Sequence, residues 1–328
     1  MSETLGLQSH ADAAIVGRLS GWDPSHLEML LRGRGVIGFK KSVSKKSVVL
    51  CCDDPEHKMA QKARDYGVPV LDSASVRGAI GAPLASYRRR LEALLDERKS
   101  RFGHVYKRAL LHIGEPASEA DLAMVEQRIG FELPEAARNL WSTMDGFVFL
   151  WFWGGNTWRG PTEGPLAWHE AIDADGAFWK KVRQTRGKKM LPIGLIDIPD
   201  LKTIFGTEWK GYLTPDIEDL PPVRLGKREV AAEDFYPQLY GFDFFSPYYQ
   251  AAIWADRETK SLQVVYGQDY GADWDFAEAV PLEVYMESLL GFWGEERLLR
   301  LNAPLGATTS MSRIRGRSYM TLHPLRED

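Results

Sequence analysis

The sequence predicts two folds in series: a small α/β unit with a parallel sheet, then an α+β unit whose antiparallel sheet is covered by helices. Three observations predict this. In the first 81 residues, short β-branched runs alternate with helical patterns in the order β-α-β-β-α-β-α, which calls for parallel strands with helices on the faces of the sheet. From Phe147 onward, strand patterns dominate and end in a hairpin, which calls for antiparallel pairing. Charge also changes sign along the chain. Residues 1–110 carry 19 Lys+Arg against 12 Asp+Glu (+7), residues 111–300 carry 18 against 31 (−13), and residues 301–328 carry four against two (+2).

Composition sets the class. Apolar residues make up 44% and charged residues 26% of the 328 positions, ordinary for a globular chain able to bury a core without staples. Mean hydropathy is −0.30 and no apolar run reaches the ~18 residues of a membrane span, so no membrane association is expected. The first twenty residues show no basic segment leading into an apolar one, so no secretory signal is read. The only cysteines, Cys51 and Cys52, are adjacent, a poor arrangement for a staple and too few for a zinc site. A cytoplasmic location is therefore expected.

The elements follow in order. Residues 1–12 are polar and read as a disordered N-terminus. Residues 13–19 (AAIVGRL) form a short buried strand, and Pro24 opens a helix with Leu27, Leu30 and Leu31 on one face. Residues 47–52 (SVVLCC) form a strand, Met59, Ala63 and Tyr66 line a helix stopped by Gly67, residues 68–71 return as a strand, and Ser73 caps a further helix. The α/β unit thus covers 13–81. Residues 82–108 read as a helical linker, with Leu84, Tyr87, Leu91, Leu94 and Leu95 at helical spacing and Arg88, Arg89 and Arg90 as a solvated face. The α+β unit covers 109–296. Ser118 and Asp121 resemble a capping box for a helix with Leu122, Val125 and Ile129 inward, ended by Gly130. Leu133-Pro134-Glu135 starts a second helix, with Ala137, Leu140, Trp141 and Met144 inward and Gly146 at its stop. Strands are expected at 147–153, 190–196, 241–245, 250–255 and 262–266, the last two as a hairpin, then a closing helix at 282–290. Residues 297–328 read as a loosely attached tail.

Catalytic motifs are scarce. Gly33-Arg34-Gly35-Val36-Ile37-Gly38, with Asp53 twenty residues after Gly33, fits a dinucleotide fingerprint on paper. The mechanism needs a strand before the glycines and a helix after, so that a helix N-terminus faces the pyrophosphate. Here a helix ends at Arg32 and a strand follows, so the glycines read as a helix stop and turn and no cofactor is expected. The seven histidines are scattered, and no H-E-x-x-H, P-loop or G-x-S-x-G is present. Cys51 and Cys52 read as buried structural thiols. Asp173-Ala174-Asp175-Gly176 starts like a calcium loop but lacks its later ligands and reads as a turn. Asp269, Asp273 and Asp275 crowd one loop around Trp274 and are the expected acidic docking patch. Trp151, Trp153 and Trp158 are aromatic-rich; Trp158 is kept as a binding anchor, while alternating aromatics more commonly build core.

Residues 40–76 (KKSVSKKSVVLCCDDPEHKMAQKARDYGVPVLDSASV) resemble a BRCT domain: S-x-K before an apolar strand, a helix with K-x-x-x-K-A, then G-V-P-V. Some BRCT domains hold a phosphopeptide between a Ser/Thr-Gly and a lysine. That lysine falls on Lys62, but the hydroxyl position is Val16, before Gly17, and valine cannot bond a phosphate. The Gly-Gly usual before the second strand is Arg34-Gly35 here, and the last helix has no Trp. Lys58 and Lys62 are accordingly expected as an exposed basic face. Residues 118–146 (SEADLAMVEQRIGFELPEAARNLWSTMDG), with Leu191-Pro192-Ile193-Gly194 and residues 242–256 (FDFFSPYYQAAIWAD), resemble the SUKH superfamily of Smi/Knr-type domains. That resemblance implies a non-enzymatic binding domain of the immunity or regulatory kind, with Glu126, Leu133, Pro134 and Gly146 in structural roles. The expected function is binding of a protein partner, such as a basic toxin or nuclease, by the acidic unit. The alternative is a nucleic-acid-associated adaptor in DNA repair or defence, with weak DNA contact through the basic first unit.

Overall fold

The computed structural model describes residues 11–16, 19, 27, 31, 36–76, 84–102, 106–153, 158–168, 170, 173, 175–187, 193–206, 222–225, 228–246, 249–268 and 279–292. The chain divides into two compact units. The first takes the residues up to Leu84 together with Glu283–Phe292, and the second takes Ala85–Leu282.

The first unit is built on a four-stranded parallel sheet. Strands β1 (Ala11–Ile15), β2 (Val36–Lys40), β3 (Ser47–Cys51) and β4 (Val70–Leu71) lie in the order β2-β1-β3-β4. β2 follows Gly33-Arg34-Gly35, which lie outside the described residues. Ala14, Leu50 and Cys52 are buried against Ala60 and Ala63 of helix α1 (Lys58–Asp65). That helix forms because Ala60 and Ala63 share one face and because His57 Nδ1 accepts the Met59 N–H at 3.1 Å, satisfying one of its free N-terminal donors. The Asp53 carboxylate accepts both the N–H and the hydroxyl of Ser73 (each 2.6 Å), tying the end of β3 to the helical turn at 73–76. Leu27 and Leu31 are helical and buried, as expected. Leu30 lies outside the described residues.

The second unit begins with helix α2 (Tyr87–Phe102), which buries Tyr87, Leu91 and Leu95. The sequence reading carried this helix to residue 108. Instead, Tyr106–Ile113 is strand β5, paired antiparallel with β6 (Phe147–Trp153). The register shifts between Arg108 and Leu110, and this bulge breaks the period-two pattern that would mark a strand in the sequence. β7 (Ile193–Ile198) completes a three-stranded sheet, β5-β6-β7. Two helices lie between β5 and β6: α3 (Glu119–Ile129) and α4 (Glu135–Trp141). α3 carries the expected capping box: Ser118 Oγ accepts the Asp121 N–H at 3.2 Å, and the Asp121 side chain bonds back to Ser118. Gly130 closes α3 at φ 86°, a conformation that favours glycine.

Helices not foreseen from the sequence include α5 (Ala177–Arg186), which buries Phe178, Trp179, Val182 and Thr185, and α6 (Leu201–Gly206). A two-stranded ribbon, β8 (Val223–Leu225) with β9 (Arg228–Val230), leads through helix α7 (Ala232–Phe235) and a tight turn at Tyr236–Gln238. Then come β10 (Leu239–Asp243), β11 (Tyr249–Asp256), β12 (Ser261–Gln268) and β13 (Val280–Pro281), an antiparallel sheet in sequential order. The expected hairpin is β11–β12, in register from Tyr249↔Gln268 to Asp256↔Ser261. The two sheets meet where β7 and β10 touch: the Phe244 N–H donates to the Asp197 carbonyl at 2.8 Å, and the Asp243 carboxylate accepts the Asp197 N–H at 2.9 Å. The final helix α8 (Leu282–Phe292) buries Leu282, Val284, Tyr285, Met286, Glu287, Leu289 and Leu290. Its residues from Glu283 onward group with the first unit, whereas the sequence reading held them within 109–296.

Candidate functional site

The site starts at the end of β11. Asp256 closes the strand, and the turn to β12 is tight, with Lys260 at φ 51°. The Asp256 carboxylate is 4% exposed and collects donors: Arg228 Nη1 at 2.5 Å, Arg228 Nη2 at 3.2 Å, Thr259 Oγ1 at 2.6 Å and the Glu258 N–H at 3.1 Å. Burial pushes this carboxyl upward, but the hydrogen bonds from Arg228 and Thr259 and the guanidinium charge outweigh it and hold it below the usual carboxylate range. Arg228 Nη2 also reaches Glu258 at 2.5 Å, and its guanidinium stands 5.2 Å from the centre of the Trp254 ring. The Asp256 hydrogen bond is the main cause that holds Arg228 charged.

These groups line one side of a groove of about 460 Å³. The other side comes from β9, α7 and the turn after it, including Glu229, Glu233, Asp234 and Gln238. The lining holds five carboxylates and two guanidiniums, a formal charge of −3. Arg228 is already committed to two carboxylates, and Arg257 spends its Nε on the Ile129 carbonyl at the end of α3 (3.0 Å). Glu229, Glu233 and Asp234 are exposed and have no ion-pair partner among the described residues. Trp254 and Gln238 form the floor at 3% and 9% exposure. Trp254 Nε1 and Gln238 Oε1 are closed off from solvent and have no hydrogen-bond partner among the described residues. The groove therefore offers negative charge at its rim. Sequence reasoning missed it because Arg228 and Asp256 lie 28 positions apart, with no local pattern to join them.

The residues singled out from the sequence fall elsewhere. Asp269, Asp273, Trp274 and Asp275 lie outside the described residues. Trp158 is half-buried. Its Nε1 donates to the Pro161 carbonyl at 2.9 Å, and its ring packs against Phe152 (6.0 Å) and Phe178 (5.9 Å). That ring is spent on the core around Phe178 and Trp179. Trp151 is fully buried. In the first unit, Lys58 is exposed and Lys62 half-buried one turn later on α1. Lys62 Nζ and Lys45 Nζ stand 5.6 and 5.8 Å from the Tyr66 ring centre. Val16 sits just past β1, and Gly17 lies outside the described residues. Cys51 and Cys52 are both buried; burial, then the neighbouring Cys52, pushes the Cys51 thiol up to about 12.

The motif residues of the second unit act structurally. The Glu126 carboxylate accepts the Leu133 N–H at 3.0 Å and Arg138 Nη2 at 2.7 Å, fixing the segment that opens α4. The Leu133 hydrogen bond, foremost, holds Glu126 below the usual range. Asp145 Oδ1 accepts the Leu201 N–H at 2.8 Å at the start of α6, and burial pushes its carboxyl up to about 6. Among the described residues, no group of three or more His, Cys, Asp or Glu could hold a metal, and no helix is long and apolar enough to cross a membrane. No protein-family model matches the chain, and no curated protein matches it.

Proposed function

We propose that this chain is a non-enzymatic protein-binding protein whose acidic second unit docks a basic protein partner. The observation that carries this is the groove beside Arg228, whose lining has a formal charge of −3 and where Glu229, Glu233 and Asp234 have no ion-pair partner among the described residues, on a unit that is acidic as a whole. A like-signed field of this kind repels nucleic acid, speeds encounter with a basic surface and disfavours acidic competitors. The SUKH resemblance supports the same reading, because members of that superfamily bind and neutralise or regulate partner proteins. In that picture the partner is a basic toxin or nuclease, and the chain acts in the cytoplasm. The paired antiparallel sheets with helices between β5 and β6 are the kind of scaffold that the resemblance implies.

A specific observation favours a second reading. Lys45 and Lys62 gather about Tyr66, with Lys58 one turn away on the same helix, so the first unit carries a compact basic face. A nucleic-acid-associated adaptor would use that face on phosphates while the acidic unit recruits a protein.

One experiment separates the two. The full-length chain, immobilised, is exposed to nuclease-treated extract of its own cells and to short DNA and RNA duplexes. We expect capture of a basic protein whose on-rate falls steeply as salt rises past ~0.15 M, where the Debye length is about 8 Å. Nucleic-acid binding that is tight at that salt, with no protein captured, would overturn the reading in favour of the adaptor.

A further inference from the structure

We propose that α6 is a pH-responsive latch in the second unit: carboxylates from two segments of the chain fasten its first turn, and the helix opens more readily once Asp145 has lost its proton. The latch belongs to the second unit alone and works whatever that unit binds.

Geometry brings the groups together. The Leu201 and Thr203 N–H groups belong to one helical turn, so their acceptors lie close together. Both acceptors are carboxylates: Asp145 Oδ1 takes the Leu201 N–H at 2.8 Å, and Asp200 Oδ1 takes the Thr203 N–H at 2.8 Å. A third carboxylate, Asp121 of α3, reaches the same turn through Lys202 at 3.2 Å. The helix is also a bridge. It follows β7 and packs on α3 and on β10. Leu201, Ile204 and Phe205 are buried, and the Phe205 ring stands 5.9 Å from that of Trp141 and 4.7 Å from that of Tyr240.

Charge sets the direction of the response. Asp145 faces Asp200, Asp121 and the cation Lys202, which is shared with Asp121. His112 on β5 faces Asp200, but burial holds its imidazole below the ordinary value, so it adds no positive charge at neutral pH. Arg88 of α2 is spent on Glu92, Glu115 and the Gly114 and Thr143 carbonyls. Arg128 of α3 and Arg257 act on Tyr240. Burial, with the neighbouring acids, pushes the Asp145 carboxyl from 3.8 up to about 6. With α6 seated, Asp145 keeps its proton to about that pH. With α6 lifted, the side chain meets water and releases the proton near its ordinary value. The proton therefore favours the seated helix, and this advantage is lost as pH rises through the window between the two values. Either form of the carboxyl can accept the Leu201 N–H, so the change lies in repulsion and desolvation and not in the number of hydrogen bonds.

The test is hydrogen exchange of the full-length chain, read on the Leu201–Gly206 amides, with the β11–β12 amides as the reference for global unfolding. Rates are corrected for the intrinsic pH dependence of exchange. The α6 amides should exchange through a local opening that low urea does not alter. The two carboxyl values set a ceiling on the order of a hundredfold, which screening of a half-buried group reduces, so the opening constant should rise about tenfold between pH ~4.5 and ~7.5. Asp145→Asn should abolish that rise. Asp200→Asn, at an exposed position and still able to cap Thr203, should move the midpoint to lower pH, which a merely structural role of these residues would not do. Exchange of α6 only together with β11–β12, through global unfolding, would overturn the latch. So would an opening constant that is flat with pH in the native chain, or equally steep in Asp145→Asn. Should Asp145→Asn fail to fold, an unmoved midpoint in Asp200→Asn would overturn it alone.

Discussion

Replacing Asp145 by Asn should make the second unit more stable at neutral pH. Asp145 sits between α4 and β6, half-buried, with Oδ1 on the Leu201 N–H. Burial pushes its carboxyl up to about 6 from 3.8, Asp200 and Asp121 add repulsion, and the Leu201 hydrogen bond and the Lys202 charge act against the rise. His112 also faces Asp200, and burial holds that imidazole below its ordinary value. Between the two carboxyl values the folded chain keeps a proton that the unfolded chain has released. Stability therefore falls as pH rises through this window and levels off above it. At ~1.4 kcal/mol per pH unit the full cost is about 3 kcal/mol, and solvent screening of this half-buried side chain reduces it to about 1–2 kcal/mol. Asn keeps the acceptor for the Leu201 N–H and carries no charge. Urea titrations followed by tryptophan fluorescence, at pH values on either side of the window, read the difference from the midpoint shift at constant slope. Asp145→Asn should gain about 1–2 kcal/mol near neutrality and match the native chain only near pH ~2.5, below both carboxyl values, where the group is protonated in both states. A variant no more stable at neutrality, with the pH dependence of the native chain intact, would refute the burial argument.

Two further outcomes test the packing. A Cβ at Gly114 would lie 1.6 Å from the Asp145 carbonyl oxygen and 2.5 Å from its carbon, both backbone atoms that cannot yield. Gly114→Ala should therefore cost at least about 3 kcal/mol, by overpacking and by loss of the Gly114–Gly146 and Asp145–Glu115 backbone bonds, and thermal melting should show it. Cys51, its thiol pushed up to about 12, and buried Cys52 should resist an aromatic disulfide reagent in the folded chain and react fully once denatured; rapid labelling of the folded chain would contradict their placement in the core.

Sequence patterns were most legible where local chemistry and burial agreed. Ser118 and Asp121 cap α3, Gly130 ends it, Leu122, Val125 and Ile129 are its buried stripe, and β11–β12 pairs as the alternation implied. The parallel sheet of the first unit was legible for the same reason, from the short strands around α1. β5 was hidden because Lys107 and Arg108 continue the charged run of α2 and the bulge before Leu110 shifts the alternation. α5 was masked by reading Asp173–Gly176 as an isolated turn, although Phe178, Trp179 and Val182 share one face just beyond it. The groove could not have been read at all. Its parts come from β9, α7 and the end of β11, segments that no local pattern joins. Trp158, kept from the sequence as an anchor, is half-buried and packs one side of its ring against the core.

The seam between β7 and β10 bears on how this protein behaves in a crowded solution. Every residue of β7 is buried, so an open β7 edge would be a long apolar template for a strand of another molecule. That edge is occupied instead by one backbone bond from Phe244 and by the Asp243 side chain, which takes the Asp197 N–H that a foreign strand would need. A carboxylate in that position is an unusual guard. It satisfies the donor without continuing a regular ladder, and it places an acidic group where an invading apolar strand would have to bury it. The join that holds the two sheets together thus also protects the chain against self-association through this fully buried strand.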